Sequence, residues 1–373
     1  MSLRGHGKGL IDKIVKHDNN FKIKSIKNPV EEKLLGGFLN VSGKMPLGNI
    51  FDYETNINGA FNLILEKIDE EVDTFKYTGI SKNIGIFSGT KPDVESEKDI
   101  SKMYVQDERD SVIINNFSGL NAFPFIIKFS QIEEFIKILH GIESTFVAFR
   151  ISNIEEISDI SLYNLLYSDL SKPILSKFYD EIPLFLLIAI KHIVHKHKID
   201  LNESNIGIIG IDISSLRITR LLVKLGCSRI LGCDNNEQLM LRFEKEGGLA
   251  TTQENIFKNS DIIIFIKDHY EDDDIYKIGP GLIIISLIDK LIDENIIKEC
   301  SVREYISGEY MDLSLLFPGI LKGLVKSNII FLDDEKIITL SNRIFGLSTE
   351  EEILPDLFSD IHERVSEFVL ELS

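Results

Sequence analysis

Asn205-Ile-Gly-Ile-Ile-Gly210-Ile-Asp212-Ile-Ser-Ser215 is the stretch on which the fold turns. Its first part, Asn205–Ile211, is almost unbroken in apolar, β-branched character, as a strand covered on both faces requires. Ser214 or Ser215 stands where a helix over Leu216–Leu225 would be capped. Gly226 stops that helix, Arg229–Cys233 reads as a second strand, and Asp234 closes it. Downstream, Gln238–Glu246 has helical spacing, and Asp261–Ile266 and Gly281–Leu287 read as third and fourth strands. Strands and helices alternating through short connections predict a doubly wound parallel α/β sheet.

Working outward, Asn83–Phe87 reads as a strand and Lys91–Asp110 as a charged stretch. Ser111–Leu120 reads as a helical lead into a buried strand, Ala122–Phe129. Ile132, Phe135, Ile136 and Leu139 place a helix over Gln131–Gly141, and Phe146–Ile151 returns to strand. This alternation is a second α/β pattern. An amphipathic helix, Gly59–Asp73, precedes it, an apolar helix, Pro183–His197, joins the halves, and Glu350–Leu372 is acidic and helical in character. The expected division is 1–168, 169–345 and a C-terminal helical segment, 346–373.

At 373 residues the chain has room for two cores. Its formal net charge of −18 argues against a broad nucleic-acid face, which must be basic. Cys227, Cys233 and Cys300 are too scattered for a disulfide framework or a zinc site and read as buried thiols in a reducing compartment. The apolar runs Ile182–Ile190 and Leu282–Ile288 are too short to span a bilayer, and Met1–Gly9 has no signal-like core. A soluble cytoplasmic protein, with no membrane partner, is the expectation.

Four stretches make the reading more specific. Gly119-Leu-Asn-Ala-Phe-Pro124, Thr145-Phe146 before a strand, Cys233-Asp234, and Phe317-Pro-Gly-Ile-Leu-Lys-Gly-Leu324 occur in order. Together they resemble the NAD(P)-dependent malic enzymes of the short prokaryotic type, from about Asp52 to the end. The resemblance implies a malic-enzyme-like N-terminal α/β domain, then a Rossmann-type NAD(P)-binding domain, in a homodimer. It also implies NAD(P) and a divalent metal as cofactors.

The chemistry implied by that family needs carboxylates around a cation, a lysine base, a tyrosine acid and a glycine-rich loop. By position, the metal ligands fall on Ser152, Asn153 and Phe178, none of them an anionic oxygen donor. Asp180 and Glu181 lie just downstream, where a small shift of register would return a carboxylate. The lysine position is Asp110 and the tyrosine position Asn56. The substrate asparagines fall on Ile288-Asp289 and near Asp312-Leu313. The cofactor positions are Gly210, Asp212, Ser215 and Asp234. A carboxylate at Asp212 about 5 Å from a phosphate costs roughly 3 kcal/mol at an effective dielectric near 20. The helix dipole returns only about 0.3–1 kcal/mol. Asp234 has two readings, a ribose ligand or a capping residue.

Residues that build the fold are therefore kept and those that carry the chemistry are replaced. The leading expectation is a catalytically inactive malic-enzyme-like protein with a binding, structural or regulatory role. Dinucleotide binding in the usual pose would be unfavourable, and NAD(P) and a metal are implied by the resemblance alone. The chain would act as a homodimer or beside a paralogue, with an interdomain cleft open to a small molecule. The competing expectation is an active NAD(P)-dependent malate or related 2-hydroxy-acid oxidoreductase that uses substitute residues. One pair of changes is reciprocal: the lysine position became Asp110, while Arg150 and Lys177 entered the metal strip. Pairing of Arg150 or Lys177 with Asp110 would replace the metal's charge. His192, His195 and His197 read as a solvated helix end, Glu271–Asp274 as an exposed loop, and Lys91-Pro92 lacks the spacing of a phosphate loop.

Overall fold

The computed structural model describes residues 48–70, 75–90, 96–154, 160–267, 276–288, 292, 294–307, 312–327 and 329–373. The expectations for Lys91-Pro92, Glu271–Asp274 and Asp289 fall outside them. The chain forms two compact units, Met1–Ser81 and Lys82–Ser373. In the first, Asn49 caps a short helix that passes through a π-helical turn, Tyr53–Asn58, into α1 (Gly59–Glu70).

In the second unit, β1 (Asn83–Thr90), β2 (Asn121–Lys128), β3 (Ala148–Ile154) and β4 (Ile174–Ser176) form a parallel sheet of order β2-β1-β3-β4. Crossovers run through α2 (Glu97–Ser118), α3 (Ile132–Ile142) and α4 (Ile160–Asp169). Two expectations need correction. α2 is one continuous helix, capped by Ser96 and ended by Gly119 at φ +72°, where a lead beginning at Ser111 was expected. Its inward face carries Asp107, Asp110 and Ser111, so its period is hidden in a stretch that reads as charged and solvated. β2 is not a buried strand: it lies at the sheet edge with Phe123 41% and Phe125 38% exposed. An edge also tolerates Pro124, which brings no N–H to the ladder.

The apolar helix α5 (Ile182–His197), fully enclosed from Leu184 to Ile190, leads to the second sheet. That sheet comprises β5 (Asn205–Ile209), β6 (Arg229–Cys233), β7 (Leu249–Ala250), β8 (Ile262–Phe265), β9 (Ile283–Ser286) and β10 (Glu304–Ile306). Its order is β10-β9-β8-β5-β6-β7, with parallel pairing throughout. The chain thus winds outward from β5 in both directions, as a doubly wound α/β sheet does. α6 (Ile213–Lys224), α7 (Glu237–Lys245), α8 (Gln253–Asn259) and α9 (Glu294–Glu299) lie between its strands in sequence.

α10 (Phe317–Ser327), α11 (Asp334–Phe345) and α12 (Ile361–Leu370) complete the chain, so the helical character expected over Glu350–Leu372 is confined to α12. Gly319 lets α12 approach α10: a Cβ there would stand 2.6 Å from the His362 carbonyl oxygen. One apolar cluster runs from Ile84 and Ala148 through α5 to Ile206 and Ile285, and on to Leu324 and Val365. The strand Ile174–Ser176 lies past the expected boundary at 168, yet it pairs with β3 in the first sheet.

Candidate functional site

The turn between β4 and α5, Lys177–Glu181, is π-helical and begins at Ser176, whose Oγ accepts the Tyr179 N–H at 3.2 Å. It presents consecutive buried carboxylates, Asp180 and Glu181, to two different arginines. Glu181 takes Arg150 in a two-point contact: Nε donates to Oε1 at 2.7 Å and Nη2 to Oε2 at 2.8 Å. The remaining edge of Arg150 donates from Nη1 to Asp110 Oδ2 at 2.7 Å. The guanidinium also lies 4.2 Å from the centre of the Phe317 ring.

Of the two candidates, Arg150 bonds Asp110 and Lys177 does not; Arg109 also reaches Asp110 Oδ1, at 3.4 Å. Lys177 lies against the Phe178 ring, its ammonium 5.5 Å from the centroid. Burial, and then the nearby Arg150 charge, lower the Lys177 pKa. Despite burial, Glu181 and Asp110 hold the Arg150 guanidinium more firmly protonated than usual. Burial pushes the Glu181 carboxyl above its ordinary range even with Arg150 pulling it down.

Of the positions equivalent to metal ligands, Ser152 is buried on β3 and Asn153 follows it. The Asn153 N–H donates to Ser88 Oγ at 3.2 Å. Phe178 and Asn153 line one small cleft with Gln106 and Met103. Beneath them lies a residue that sequence reasoning missed, Asp107, fully buried and accepting the Ser88 hydroxyl at 2.6 Å. Burial raises its pKa, opposed by hydrogen bonds from Ser88 and Ser152. Asp180 offers no metal ligand by register shift either. It is bound by Arg217 and by the Ser176 N–H at 2.6 Å, and Arg217 covers the Tyr179 ring at 4.1 Å. Among the described residues no group of His, Cys, Asp or Glu is arranged to hold a metal ion. The donor set at these positions does not fit a divalent cation, because an arginine already occupies the space between the carboxylates.

The cofactor positions form a closed network. Asp212 caps α6, which starts at Ile213; this corrects the expected cap at Ser214 or Ser215 and start at Leu216. The Ser215 N–H donates to Asp212 Oδ1 at 2.9 Å, and the Asp212 N–H donates to Ser215 Oγ at 2.7 Å. A carboxylate of the chain itself thus occupies the helix N-terminus that would otherwise receive a phosphate. Burial raises the Asp212 pKa, opposed by its hydrogen bond from the Ser215 backbone. Asp234 accepts the Ile211 N–H at 2.7 Å and the Asn236 N–H at 2.7 Å and stands 3.5 Å from Lys267 Nζ. Lys267 also donates to the Ile211 carbonyl. Gly210 is kept for its backbone: φ is +83°, and a Cβ would lie 2.8 Å from the Lys267 nitrogen. These residues do not fit a dinucleotide in the usual pose.

Other positions are structural or apart. Asn56 lies in the π-helical turn of the first unit. Asp312 caps the turn before α10, accepting the Ser314 N–H at 3.0 Å. His192 is buried, not solvated, whereas His195 is exposed and His197 bonds Glu304. Only Cys227 of the three free thiols is fully buried. Among the described residues no helix is long and apolar enough to cross a membrane.

No protein-family profile matches the sequence. The NAD-dependent malic enzyme 1 of Bacillus subtilis (strain 168) is 22% identical over 348 residues, covering 89% of this chain and 77% of that protein. The NAD-dependent malic enzyme of Geobacillus stearothermophilus is 22% identical over 295 residues, 71% of this chain and 61% of its own length. Among solved structures, the malic enzyme from Pyrococcus horikoshii Ot3 aligns with a TM-score of 0.72 at 17% identity, over 88% of this chain and 85% of that one. The Entamoeba histolytica malic enzyme aligns with a TM-score of 0.74 at 16% identity, over 88% and 77%. The chain resembles the malic enzymes in sequence and has their α/β fold.

Proposed function

We propose that this malic-enzyme-like chain has lost malate oxidation and serves a binding, structural or regulatory role on the same scaffold. The observation that carries the reading is Arg150, 1% exposed, bound to Glu181 and Asp110 at once. A cation fixed there supplies the positive charge that a metal would bring, but it has no open coordination position for a substrate oxygen. Asp110 adds to this: tied to Arg150, it is not a base free to accept a hydroxyl proton. Asp212 supports the same reading at the other sheet. Self-association as a homodimer, or with a related chain, belongs to the proposal. Ile50 (74% exposed) and Leu65 (43% exposed) give the first unit exposed apolar surface. A cytoplasmic location belongs to it as well.

The second reading is an NAD(P)-dependent oxidoreductase with substitute residues. It is favoured by the similarity to proteins named NAD-dependent malic enzymes over most of the chain. One set of measurements separates the two: thermal unfolding with NAD, NADP, malate and Mn²⁺, singly and together, alongside nicotinamide reduction followed by absorbance. The proposal expects no saturable shift with either dinucleotide and no metal-dependent turnover. Turnover that requires Mn²⁺ would overturn it.

A further inference from the structure

Away from both networks, α5 meets α11 with its C-terminal half, and a cleft of about 1090 Å³ opens there. Its wall includes Lys191, His195, Lys196, Asn342 and Thr349, with Phe345 as an apolar floor. Lys191 Nζ donates to two neutral acceptors, Ser341 Oγ at 2.6 Å and Asn342 Oδ1 at 2.5 Å. Its neighbour Lys196 is matched by Glu304 at 2.8 Å, and His197 bonds the same carboxylate. Lys191 has no carboxylate within ion-pair reach among the described residues, although the chain carries 59 acidic residues against 41 basic ones. Burial alone pushes this amine down to about 8.

Compensation of the helix dipole does not account for this lysine. Lys196 and Lys198 lie in or just past the last turn of α5, where cations offset that dipole. Lys191 lies well upstream of the turn, and its ammonium is bonded to side chains of α11 instead. A partly buried cation without a counterion is costly, and an anion arriving in the cleft would relieve that cost. Thr349 Oγ1 accepts the Glu352 N–H at 3.0 Å, which leaves its own proton to donate. Glu350 and Glu351, both exposed, stand on the lip. They disfavour a long polyanion and leave room for a small one.

We infer that this cleft binds a small oxyanion, a carboxylate or a phosphate, with Lys191 as its charge partner. The inference stands apart from the fate of malate chemistry, since it uses none of the residues around Arg150 or Asp212. The test uses the full chain and two probes, inorganic phosphate and succinate, each titrated at constant ionic strength against chloride. The readout is the rate at which Lys191 is acylated by an amine-reactive ester at pH 8, measured by peptide mass spectrometry. An amine restored from about 8 towards its ordinary value near 10.4 loses roughly a hundredfold of its neutral form at that pH. Saturable protection of Lys191 by at least tenfold is therefore expected, with Lys102, on α2, unprotected. Protection by phosphate alone assigns a phosphate ligand, by succinate alone a carboxylate, and by both a site that reads charge only. If neither protects Lys191, the inference is wrong, whatever any variant does. As a second arm, Lys191→Arg should keep binding of the effective probe within about threefold, while Lys191→Met should weaken it at least tenfold. Equal binding by Lys191→Met would also overturn it.

Discussion

Replacing Arg150 by methionine removes the cation hydrogen-bonded to both Glu181 and Asp110. Three charge-assisted hydrogen bonds of 2.7, 2.7 and 2.8 Å are lost, together with the contact to Phe317 at 4.2 Å. Those gross contacts overstate the effect, because Glu181 can take up a proton. Removing one partner from a buried pair costs about 3–5 kcal/mol in general. Glu181 is 0% exposed, so at neutral pH the upper half of that range applies. The sign with pH follows from the direction of the shift. Burial already raises the Glu181 pKa, and loss of Arg150 raises it further. A carboxyl raised in the fold favours folding at low pH and loses that contribution as pH rises above its unfolded value. Each pH unit is worth about 1.4 kcal/mol per retained proton. The variant should therefore lose about 4–5 kcal/mol at pH 7 and less at pH 5, relative to the parent. Urea unfolding at both pH values, with Arg150→Met/Glu181→Met as a companion, measures this. The double variant should recover most of the loss, since no lone carboxylate remains on that edge. A penalty under about 1 kcal/mol, or one that does not change between pH 5 and 7, would refute the reasoning.

Asp212→Asn keeps a capping acceptor and removes a buried charge, so unfolding should change by less than about 0.5 kcal/mol; Asp212→Ala should lose about 1 kcal/mol. Gly210→Ala forces a side chain into φ +83° and against the Lys267 backbone, which should cost about 2–3 kcal/mol in the same assay. His192 and His362 are held below their ordinary values, first by burial. Each binds fewer protons folded than unfolded, so stability should fall as pH drops below about 6.5, and His192→Gln should flatten that slope in a series of thermal melts. Restoring Ser152→Glu and Asn153→Asp while Arg150 remains should create no Mn²⁺-dependent rise in melting temperature; a clear rise would mean that the arginine does not exclude the metal.

How much of this was legible depended on whether a feature is local. β5 was readable because a strand covered on both faces must be almost wholly apolar, and Ile206–Ile209, with only Gly207 between isoleucines, is. That Arg150 or Lys177 would pair with Asp110 was legible as a reciprocal change of charge, but which of the two, and its geometry, was not. Glu181 reaches Arg150 because β4 lies beside β3, a pairing of strands that no local pattern encodes. Asp107 was invisible for a related reason: an acidic residue in a charged stretch reads as solvated until the sheet it faces is known. The start of α6 is hidden because Asp212 stands at a position of the glycine loop, and its role as a cap depends on the helix that follows.

The two arginines explain how Asp180 and Glu181 can lie buried side by side on one turn. Two adjacent buried carboxylates without cations would each climb in pKa and be lost as charges. In the π-helical turn they diverge, so Arg217 on α6 takes one and Arg150 on β3 takes the other. Arg217 also donates to the Tyr179 and Leu332 carbonyls, which ties the turn to α6 and to the segment before α11. Arg150, through Asp110 and Phe317, ties it to α2 and α10. A divalent cation would hold its ligands within a radius of about 2–2.5 Å. The arginine forks reach further and link more elements. On the proposed reading Arg150 offers no open coordination position, and the two arginines fix contacts among the first sheet, its helix α2 and the second sheet's α6. The proposed loss of malate chemistry rests on this: both carboxylates of the turn are already committed to arginines.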